Sequence, residues 1–311
     1  MFESKAAMFL YAVSPVHMGA GTAIGVIDNP IQRERHTGYP MIAGSGLKGA
    51  LRHEANALWE KHGDLVKKVF GPDPGENASD HAGALSIADA ALVLFPVRSL
   101  RGSYVYATSP TALGRTQRLL VLAGAGDAGT WRIPAVEDDH CARADKGTEK
   151  LVLESYEFES SPTGELAEIA SEIAGACLPE GGANQYFREK IKQCMVVLSD
   201  ERFGYFVRNA TVVEPHVRID DDTGTAQDGG LFYTENLPPE SLLVSLAMAS
   251  GERGARTENG GGTPLPAEAV LDSLVRGRDG APGFDGRMIQ VGGDATSGRG
   301  QVIIRFSKGK A

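Results

Sequence analysis

Asp28 has the best setting for chemistry among the acidic residues, because it precedes basic residues on a glycine-rich segment. Five basic side chains follow it between positions 33 and 52: Arg33, Arg35, His36, Lys48 and Arg52. Residues 44–46 come directly before a predicted helix. The N–H groups of such a loop, together with the positive end of the helix dipole, bind anions. The segment therefore predicts a phosphate site at Ser45 and Gly46, beside Lys48.

A carboxylate beside bound phosphate has a chemical use when the ligand is RNA. The 2′-hydroxyl of a nucleotide attacks its own phosphate once a base or a bound metal ion assists removal of its proton. One well-placed carboxylate, that of Asp28, suffices for either route. The alternative is a surface aspartate that only forms an ion pair with Arg33 or Arg35.

Two further side chains could assist Asp28. His17 lies on the same long loop, and an imidazole exchanges protons near neutral pH. Its alternative role is that of an ordinary surface or hydrogen-bonding residue. Glu235 follows a predicted hairpin and offers a second acid, although it could equally cap a turn.

Spacing excludes three common functional motifs. The segment GSGLKGA at 44–50 lacks the gap and the Lys-Ser/Thr ending of a P-loop. The segment beginning at His53 has Ala57 where a zincin requires its second histidine. The acids from Asp220 onward have Thr225 at the glycine position of an EF-hand. The sequence therefore supports neither nucleotide triphosphate hydrolysis nor these two metal sites.

The net charge of −9 does not exclude a nucleic-acid ligand, because the acidity is concentrated in one part of the chain. Residues 137–172 contain eleven acids and three bases, a net charge of −8, which leaves −1 for the remainder. Residues 98–118 contain four arginines and no acid, and residues 276–310 contain seven bases against three acids. These two segments predict basic surfaces.

The three cysteines, Cys141, Cys177 and Cys194, are widely spaced and form no CxxC pair, which predicts free thiols in a reducing compartment. The apolar N-terminal run lacks the cationic start and cleavage site of a secretory signal. No apolar stretch has the length of a membrane span. We therefore expect a cytoplasmic protein that does not contact a membrane.

The hydrophobic pattern predicts an α+β fold that opens like a ferredoxin-like unit, as in the common RNA-recognition modules. The predicted elements are a strand at 5–14, a helix at 46–62, strands at 84–95 and 102–107, and a helix at 110–122. Ser45 is the expected N-cap of the first helix and Gly63 its end. Ser109 and Pro110 begin the second helix.

The rest of the chain predicts additions to this unit. Residues 125–200 read as an insertion with helices at 165–177 and 184–198. Strands at 203–219 and 231–234 flank a polar, glycine-rich tip, which predicts a protruding hairpin at about 209–235. A strand at 241–249, a helix at 268–275 and two strands around a glycine loop follow. No boundary supports a second domain, so residues 1–311 are expected to form one.

Three segments together resemble one protein family. DNPIQRERHTGYP at 28–40, GSGLKGALR at 44–52 and GGDATSGRG at 292–300 are similar to the backbone subunits of type III-B CRISPR effector complexes. These subunits are the fourth of the Cmr proteins and belong to the RAMP superfamily. The resemblance runs from the first strand to the last glycine loop, and leaves only residues 125–200 unplaced. AGSGLKG departs from the PGSSLKG form of the family.

The resemblance implies a ferredoxin-like (RRM-like) RAMP core with a β-hairpin thumb and a helical and loop insertion. It implies that copies of the subunit stack head to tail along a CRISPR RNA, beside other Cmr subunits. It further implies that the complex pairs with single-stranded target RNA, into which each thumb intrudes. The predicted hairpin at 209–235 is the expected thumb.

The resemblance also implies an endoribonuclease that cleaves target RNA with a divalent metal, Mg²⁺ or Mn²⁺, leaving a 2′,3′-cyclic phosphate and a 5′-hydroxyl. The essential aspartate of the family corresponds to Asp28, as general base or metal ligand. Supporting roles correspond to His17 and Glu235. The implied contacts to guide RNA phosphates are Lys48, Arg52, Gly292, Gly293, Ser297, Gly298 and Arg299.

Two alternatives stay open. In the first, the chain is a non-cleaving RNA-binding scaffold in which Asp28 only orders its loop. In the second, it is the related backbone subunit of type III-A complexes, which PIQRERHTG fits less well.

Overall fold

The structure is a computed structural model that describes residues 2–21, 25–73, 82–126, 128–145, 147, 149–253 and 264–309. The α-helices within these ranges are α1 (Gly44–Leu58), α2 (Gly63–Phe70), α3 (Pro110–Leu122), α4 (Gly164–Cys177), α5 (Gln185–Cys194), α6 (Asp200–Asn209) and α7 (Ala267–Val275). None of them has the length and apolar character needed to span a membrane.

The β-strands in the described ranges are β1 (Ser4–Ala12), β2 (Met41–Ile42), β3 (Leu85–Ile87), β4 (Ala90–Arg98), β5 (Tyr104–Thr108), β6 (His140–Arg143), β7 (Lys150–Leu153), β8 (Tyr156–Pro162), β9 (Met195–Val197), β10 (Val212–Ile219), β11 (Ala226–Asn236), β12 (Leu242–Ala249), β13 (Gly277–Arg278), β14 (Ala281–Pro282), β15 (Met288–Gln290) and β16 (Gln301–Ser307). Twelve of these strands form one sheet.

The ferredoxin-like α+β core is confirmed, and it consists of β1, α1, β4, β12, α7 and β16. In the sheet these strands lie in the order β16, β1, β12, β4, and each neighbouring pair is antiparallel. That is the arrangement of a β-α-β-β-α-β unit. The helices α1 and α7 pack on the same face of the sheet.

Two parts of the predicted unit are wrong. The strand at 102–107 and the helix at 110–122 were expected to be its third strand and second helix, and they correspond to β5 and α3. The third strand is instead β12, which pairs with β4 at Leu242 and Leu94. Everything between β4 and β12 is therefore inserted into the hairpin that these two strands form.

Both faces of β1 are buried, which explains its unbroken apolar sequence. Ala6, Met8 and Leu10 pack with α1 and α7 in one core cluster. Ala7 and Phe9 point to the opposite face and pack with α3 and α4 in a second cluster. Since successive side chains of a strand alternate between faces, a strand covered on both sides has no polar positions to alternate.

The inserted region also contains strands. β5, β9, β6, β8 and β7 extend the sheet beyond β4 in that order. The helix predicted at 184–198 ends at Cys194, because the next residues form β9 and pair in parallel with β5. Residues 203–209, predicted as strand, lie in α6. The Ser199 hydroxyl accepts a hydrogen bond from the Arg202 N–H and caps that helix.

A separate two-stranded hairpin, formed by β10 and β11, occupies the region of the predicted one. Val213 pairs with Glu235 near its base, and Val217 pairs with Leu231 toward its tip. The side chains of Val217 and Leu231 are exposed. Because two-stranded hairpins are marginal in isolation, its base needs support from the body of the protein.

Candidate functional site

The base of the hairpin is joined to the loop that contains Asp28. The Asn29 N–H donates to the Tyr233 carbonyl at 3.0 Å, and the Glu235 N–H donates to the Asn29 carbonyl at 3.0 Å. Asn29 and Thr234 thereby form a parallel bridge. The loop thus acts as a third strand along the edge of β11, and its position is set by the backbone of the hairpin.

Asp28 is exposed, and its carboxylate is oriented by the hairpin. Its Oδ2 accepts a hydrogen bond of 2.7 Å from the Tyr233 N–H. Within the described residues it forms no ion pair, so the alternative in which Arg33 or Arg35 neutralises it does not occur here. A fixed carboxylate with one oxygen free toward solvent can accept a proton or bind a cation.

His17 lies on the same strand edge as Asp28. Its Nδ1 is 2.8 Å from the Glu235 carbonyl oxygen, which only accepts, so Nδ1 must carry the hydrogen. Its Nε2 is directed toward Gly19. The Tyr233 N–H and the Glu235 carbonyl lie two residues apart, about 7 Å along a strand. Asp28 and His17 are therefore both hydrogen-bonded to the backbone of β11, two residues apart.

Glu235 is buried and its carboxylate is fully engaged inside the protein. Oε1 is 2.5 Å from an Arg33 nitrogen and accepts from the Thr211 hydroxyl at 2.8 Å. Oε2 accepts from the Ile31 N–H at 3.1 Å. These contacts give the side chain a positioning role, because no oxygen is directed to the surface where RNA would lie.

The basic residues near Asp28 do not form one cluster around it. Arg33 is directed inward, where it also donates to the carbonyls of Gly38 and Val207 at 2.8 and 2.9 Å. Arg35 is exposed and, within the described part of the chain, has no ion-pair partner. The two arginines thus have different roles, one structural and one available to a ligand.

The start of α1 differs from the prediction. The N-cap is Ala43 rather than Ser45, and no side chain caps the helix there. The Gly44 N–H donates instead to the Asp89 carboxylate at 2.7 Å. A Cβ on Gly44 would lie 2.3 Å from the Ile87 carbonyl oxygen, so only glycine fits. Gly63 does not end α1, because Gly63 begins α2 and α1 stops at Leu58.

Ser45 and Gly46 remain exposed at this helix end, and no side-chain oxygen in the described residues is bonded to their N–H groups. The Asp89 carboxylate therefore satisfies the first N–H group of the predicted phosphate site, and the N–H groups of Ser45 and Gly46 stay open to a ligand. An anion here would also meet the negative charge of Asp89, which weakens the attraction.

Lys48 and Arg52 are turned away from that helix end. The Lys48 ammonium donates to the Leu85 carbonyl at 2.8 Å, and its pKa is lowered mainly by burial and further by the Arg52 charge. Arg52 donates to the Asp73 carboxylate at 2.9 Å. Either side chain would have to exchange these partners for a phosphate in order to contact RNA.

A groove of about 400 Å³ runs between α1 and the C-terminal glycine loop. It includes four predicted site residues, His17, Gly46, Gly292 and Gly293. Three further polar side chains line it: Gln32, His53 and Gln290. Local sequence does not single out these three lining residues, because glutamine and histidine outside a motif give no signal.

The glycine loop is fitted closely to His17. Gly292 has φ +84°, and a Cβ there would lie 2.3 Å from the His17 carbonyl oxygen. The Gly293 N–H donates to that same carbonyl at 2.9 Å. Glycine is required at position 292 both by its backbone conformation and by this close approach.

The second half of the loop turns toward the hairpin. Gly298 has φ +77° and ends a short turn in which the Ser297 N–H donates to the Asp294 carbonyl at 3.0 Å. Arg299 forms an ion pair with Glu214 on β10. The loop therefore connects His17 at one end with the hairpin at the other, while Ser297 and Gly298 stay exposed.

The protein residues alone do not surround Asp28 with metal ligands. In the described part of the chain, the group of three side chains placed to share an ion is Glu137, Asp139 and His140, all exposed. It lies in the inserted region and does not include Asp28. A divalent ion at Asp28 would thus need most of its ligands from RNA and water, a mode that Mg²⁺ accepts with one or two carboxylates.

Comparisons with known proteins point to one family. The model of the RAMP superfamily matches residues 9–303. The chain is 35% identical to the CRISPR system Cmr endoribonuclease Cmr4 of Pyrococcus furiosus over 302 residues, covering 96% of this chain and 94% of that one. A crystal structure of oligomeric Cmr4 from the same organism covers 99% of this chain and 100% of that one, with 27% identity and a TM-score of 0.72. A subunit of the type III-B Cmr-beta complex bound to cognate target RNA shares the fold, with 20% identity, a TM-score of 0.72 and 98% of each chain covered.

Proposed function

The chain belongs to the RAMP superfamily, and on that premise we propose that it is the backbone subunit of a type III-B CRISPR effector complex that cleaves target RNA. The observation that carries the proposal is the exposed Asp28 carboxylate, held by the Tyr233 N–H beside His17. Sequence recognition in such a complex comes from base pairing between guide and target. The protein then needs only backbone contacts and shape.

The proposed reaction uses Asp28 as general base. Its free oxygen takes the proton of a 2′-hydroxyl, and the resulting oxygen attacks the adjacent phosphorus. The bond from phosphorus to the 5′-oxygen breaks, which leaves a 2′,3′-cyclic phosphate and a 5′-hydroxyl. The departing 5′-oxygen must gain a proton, and His17, held by its Nδ1–H, can give one from Nε2 when its ring carries a second proton.

A divalent ion, Mg²⁺ or Mn²⁺, fits the same carboxylate. Asp28 would hold it together with RNA oxygens, and the ion would supply positive charge near the reacting phosphate. In that case Asp28 is a metal ligand rather than the base. Glu235 keeps its positioning role in both versions, because its bonds to Arg33 and Ile31 set the strand edge on which Asp28 and His17 lie.

The guide RNA is proposed to lie along the groove between α1 and the glycine loop. Gly46, Gly292 and Gly293 allow close approach of a sugar-phosphate backbone, and Ser45, Ser297, Gly298 and Arg299 continue this surface. Lys48 and Arg52 would join by leaving their present partners. The hairpin of β10 and β11 is the proposed thumb, with exposed apolar side chains such as Leu231 available to displace a base.

The proposed partners are a CRISPR RNA, a complementary target RNA, other Cmr subunits and further copies of this chain stacked head to tail. The oligomeric Cmr4 relative supports self-association. A head-to-tail contact need not close into a ring, so it suits a filament along a guide. We propose a single domain for the whole chain and a cytoplasmic location.

The test is the variant Asp28→Asn in the assembled complex, incubated with complementary RNA and Mg²⁺. An asparagine oxygen still accepts from the Tyr233 N–H, so the loop should keep its place while the charge is lost. We expect cleavage to fall by a factor of about 10²–10⁴, the usual contribution of a general base, with guide and target binding retained. The exposed Asp64→Asn on α2 is the matched control. Unchanged cleavage in Asp28→Asn would support the scaffold alternative and overturn the proposal.

A further inference from the structure

A basic surface lies where the turn after the Asp28 loop meets α3 and α6, and none of its arginines lines the groove. Residues 33–40 form a tight turn, in which Arg33 and Pro40 are bridged and the Glu34 N–H donates to the Tyr39 carbonyl at 2.9 Å. The tip of this turn exposes Arg35 and His36. The turn continues directly from the extended segment that contains Asp28.

Arginines from two helices flank this tip. From α3, Arg115 lies 2.9 Å from the His36 Nε2 and forms an ion pair of 2.7 Å with Glu34. From α6, Arg208 donates to the Thr37 carbonyl at 3.2 Å. Arg118 lies three residues after Arg115 on α3, hence on the same helix face. We call Arg35, Arg115, Arg118 and Arg208 the arginine ridge.

The arginine ridge keeps an excess of positive charge. Glu34 neutralises Arg115. Arg35, Arg118 and Arg208 are exposed and have no carboxylate partner within the described residues. An unpaired guanidinium presents a fork of donors that matches a phosphate group. Two such groups at the turn, Arg35 and Arg208, and a third on the neighbouring face of α3, Arg118, provide a surface for a polyanion.

We propose that the arginine ridge binds phosphates of the target RNA strand a few nucleotides from the position that Asp28 cleaves. This inference rests on the proposed function and assigns the target strand its own protein surface. Arg35 follows Asp28 by seven residues, so their Cα atoms lie at most about 25 Å apart. The groove proposed for the guide opens on Gln32 and Gly46, whereas the ridge lies on α3 and α6. The target strand must reach Asp28, which lies on the segment that joins the groove to the turn of the ridge. We therefore assign the ridge to the target strand and the groove to the guide.

The experiment measures binding without cleavage. Guide-loaded complex containing Arg35→Ala, Arg118→Ala and Arg208→Ala is titrated with a complementary RNA that carries 2′-deoxy nucleotides at the cleavage positions, between 50 and 200 mM salt. Each lost phosphate contact on a single strand reduces the slope of log affinity against log salt by about 0.7, so the slope should become about 2 units less steep for each copy of the subunit that the target strand contacts. Guide retention and filament length should not change.

Two control variants keep the test decisive. Lys61→Ala, Arg132→Ala and Arg253→Ala remove the same charge from exposed positions outside the ridge and the predicted basic segments, and should leave the slope as in the parent protein. Replacing the three ridge arginines by lysine should restore most of the slope and shows that the fold is intact. An unchanged slope in the alanine variant overturns the proposal. Loss of filament assembly in place of target affinity also overturns it, because the ridge would then contact an acidic protein surface. Neither result depends on whether Asp28 is the catalytic residue.

Discussion

Arg33 and the buried Glu235 form an ion pair that joins the Asp28 loop to the hairpin. The nearest nitrogen and oxygen are 2.5 Å apart, and the two side chains are 22% and 4% exposed. Through the backbone of β11, the pair fixes the Tyr233 N–H that holds Asp28 and the Glu235 carbonyl that holds His17. The geometry of the exposed site thus depends on an interaction in the interior.

Arg33→Ala should therefore be strongly destabilising. It leaves the Glu235 carboxylate buried without its cation, which usually costs about 3–5 kcal/mol. Denaturant unfolding of the isolated chain measures this difference. The control is Arg278→Ala, whose ion pair with Asp279 is largely exposed and should contribute at most about 1 kcal/mol. A loss below about 1 kcal/mol for Arg33→Ala would show that the pair does not hold the loop.

Gly292→Ala should damage the site more than Gly298→Ala. Both glycines have positive φ, of +84° and +77°, so both substitutions carry the conformational cost of about 1–2 kcal/mol. A Cβ at 292 would also lie 2.3 Å from the His17 carbonyl oxygen, whereas no atom of the described residues lies within 4 Å of one at 298. We expect the first variant to unfold more easily and to lose guide binding. Equal unfolding free energies would mean that the loop moves freely away from His17.

The sequence predicted individual elements of the fold better than their pairing. β1, α3 and α7 have continuous or periodic apolar patterns, and Ser109 gives α3 a clear start. Periodicity contains no information on which strand lies beside which. Adjacency in sequence predicts that β5 is the core partner of β4, but β5 pairs with the outer edge of β4, and the core partner is β12 from far along the chain.

The candidate site shows the same difference between local patterns, which the sequence reveals, and long-range contacts, which it does not. Asp28 and His17 are predicted as site residues because polar side chains on glycine-rich loops point to chemistry. The groups that bond the candidate side chains come from far along the chain, such as the Tyr233 N–H at Asp28 and Arg33 at Glu235. Such contacts leave no mark on local spacing, so the sequence alone left the role of Glu235 open.

Ser109→Ala and Ser45→Ala test the two predicted helix caps against each other. The Ser109 hydroxyl accepts from the Ala112 N–H at 3.3 Å and caps α3, whereas Ser45 caps no helix. We expect Ser109→Ala to lower the free energy of unfolding by about 1 kcal/mol. Ser45→Ala should leave it unchanged or raise it slightly, since alanine favours helix. Similar losses in both variants would assign Ser45 a capping role after all.

Glu240 should make the stability of the protein depend on pH. It lies between β11 and β12, where its carboxylate accepts from the Tyr11 hydroxyl, and its backbone N–H donates to the Ala12 carbonyl at 2.7 Å. Burial raises the pKa of this carboxyl above its usual value, and this outweighs the Tyr11 hydrogen bond and the Lys190 charge, which lower it. The folded protein therefore keeps a proton at pH values where the unfolded chain has lost it.

The sign of the effect follows from this excess of bound protons. Protonated Glu240 contributes its full stabilisation of the fold below the unfolded pKa of a glutamate, about 4.3. This contribution is lost as pH rises through the raised pKa of Glu240 in the folded protein. Glu240→Gln keeps an acceptor for Tyr11 and has no charge to bury, so it should gain stability relative to the parent across that window. Denaturant unfolding from pH 4 to pH 8 measures the difference, with the exposed Glu60→Gln as control. If the free energies of unfolding of Glu240→Gln and the parent protein change in parallel with pH, Glu240 is as well solvated in the folded chain as in the unfolded one.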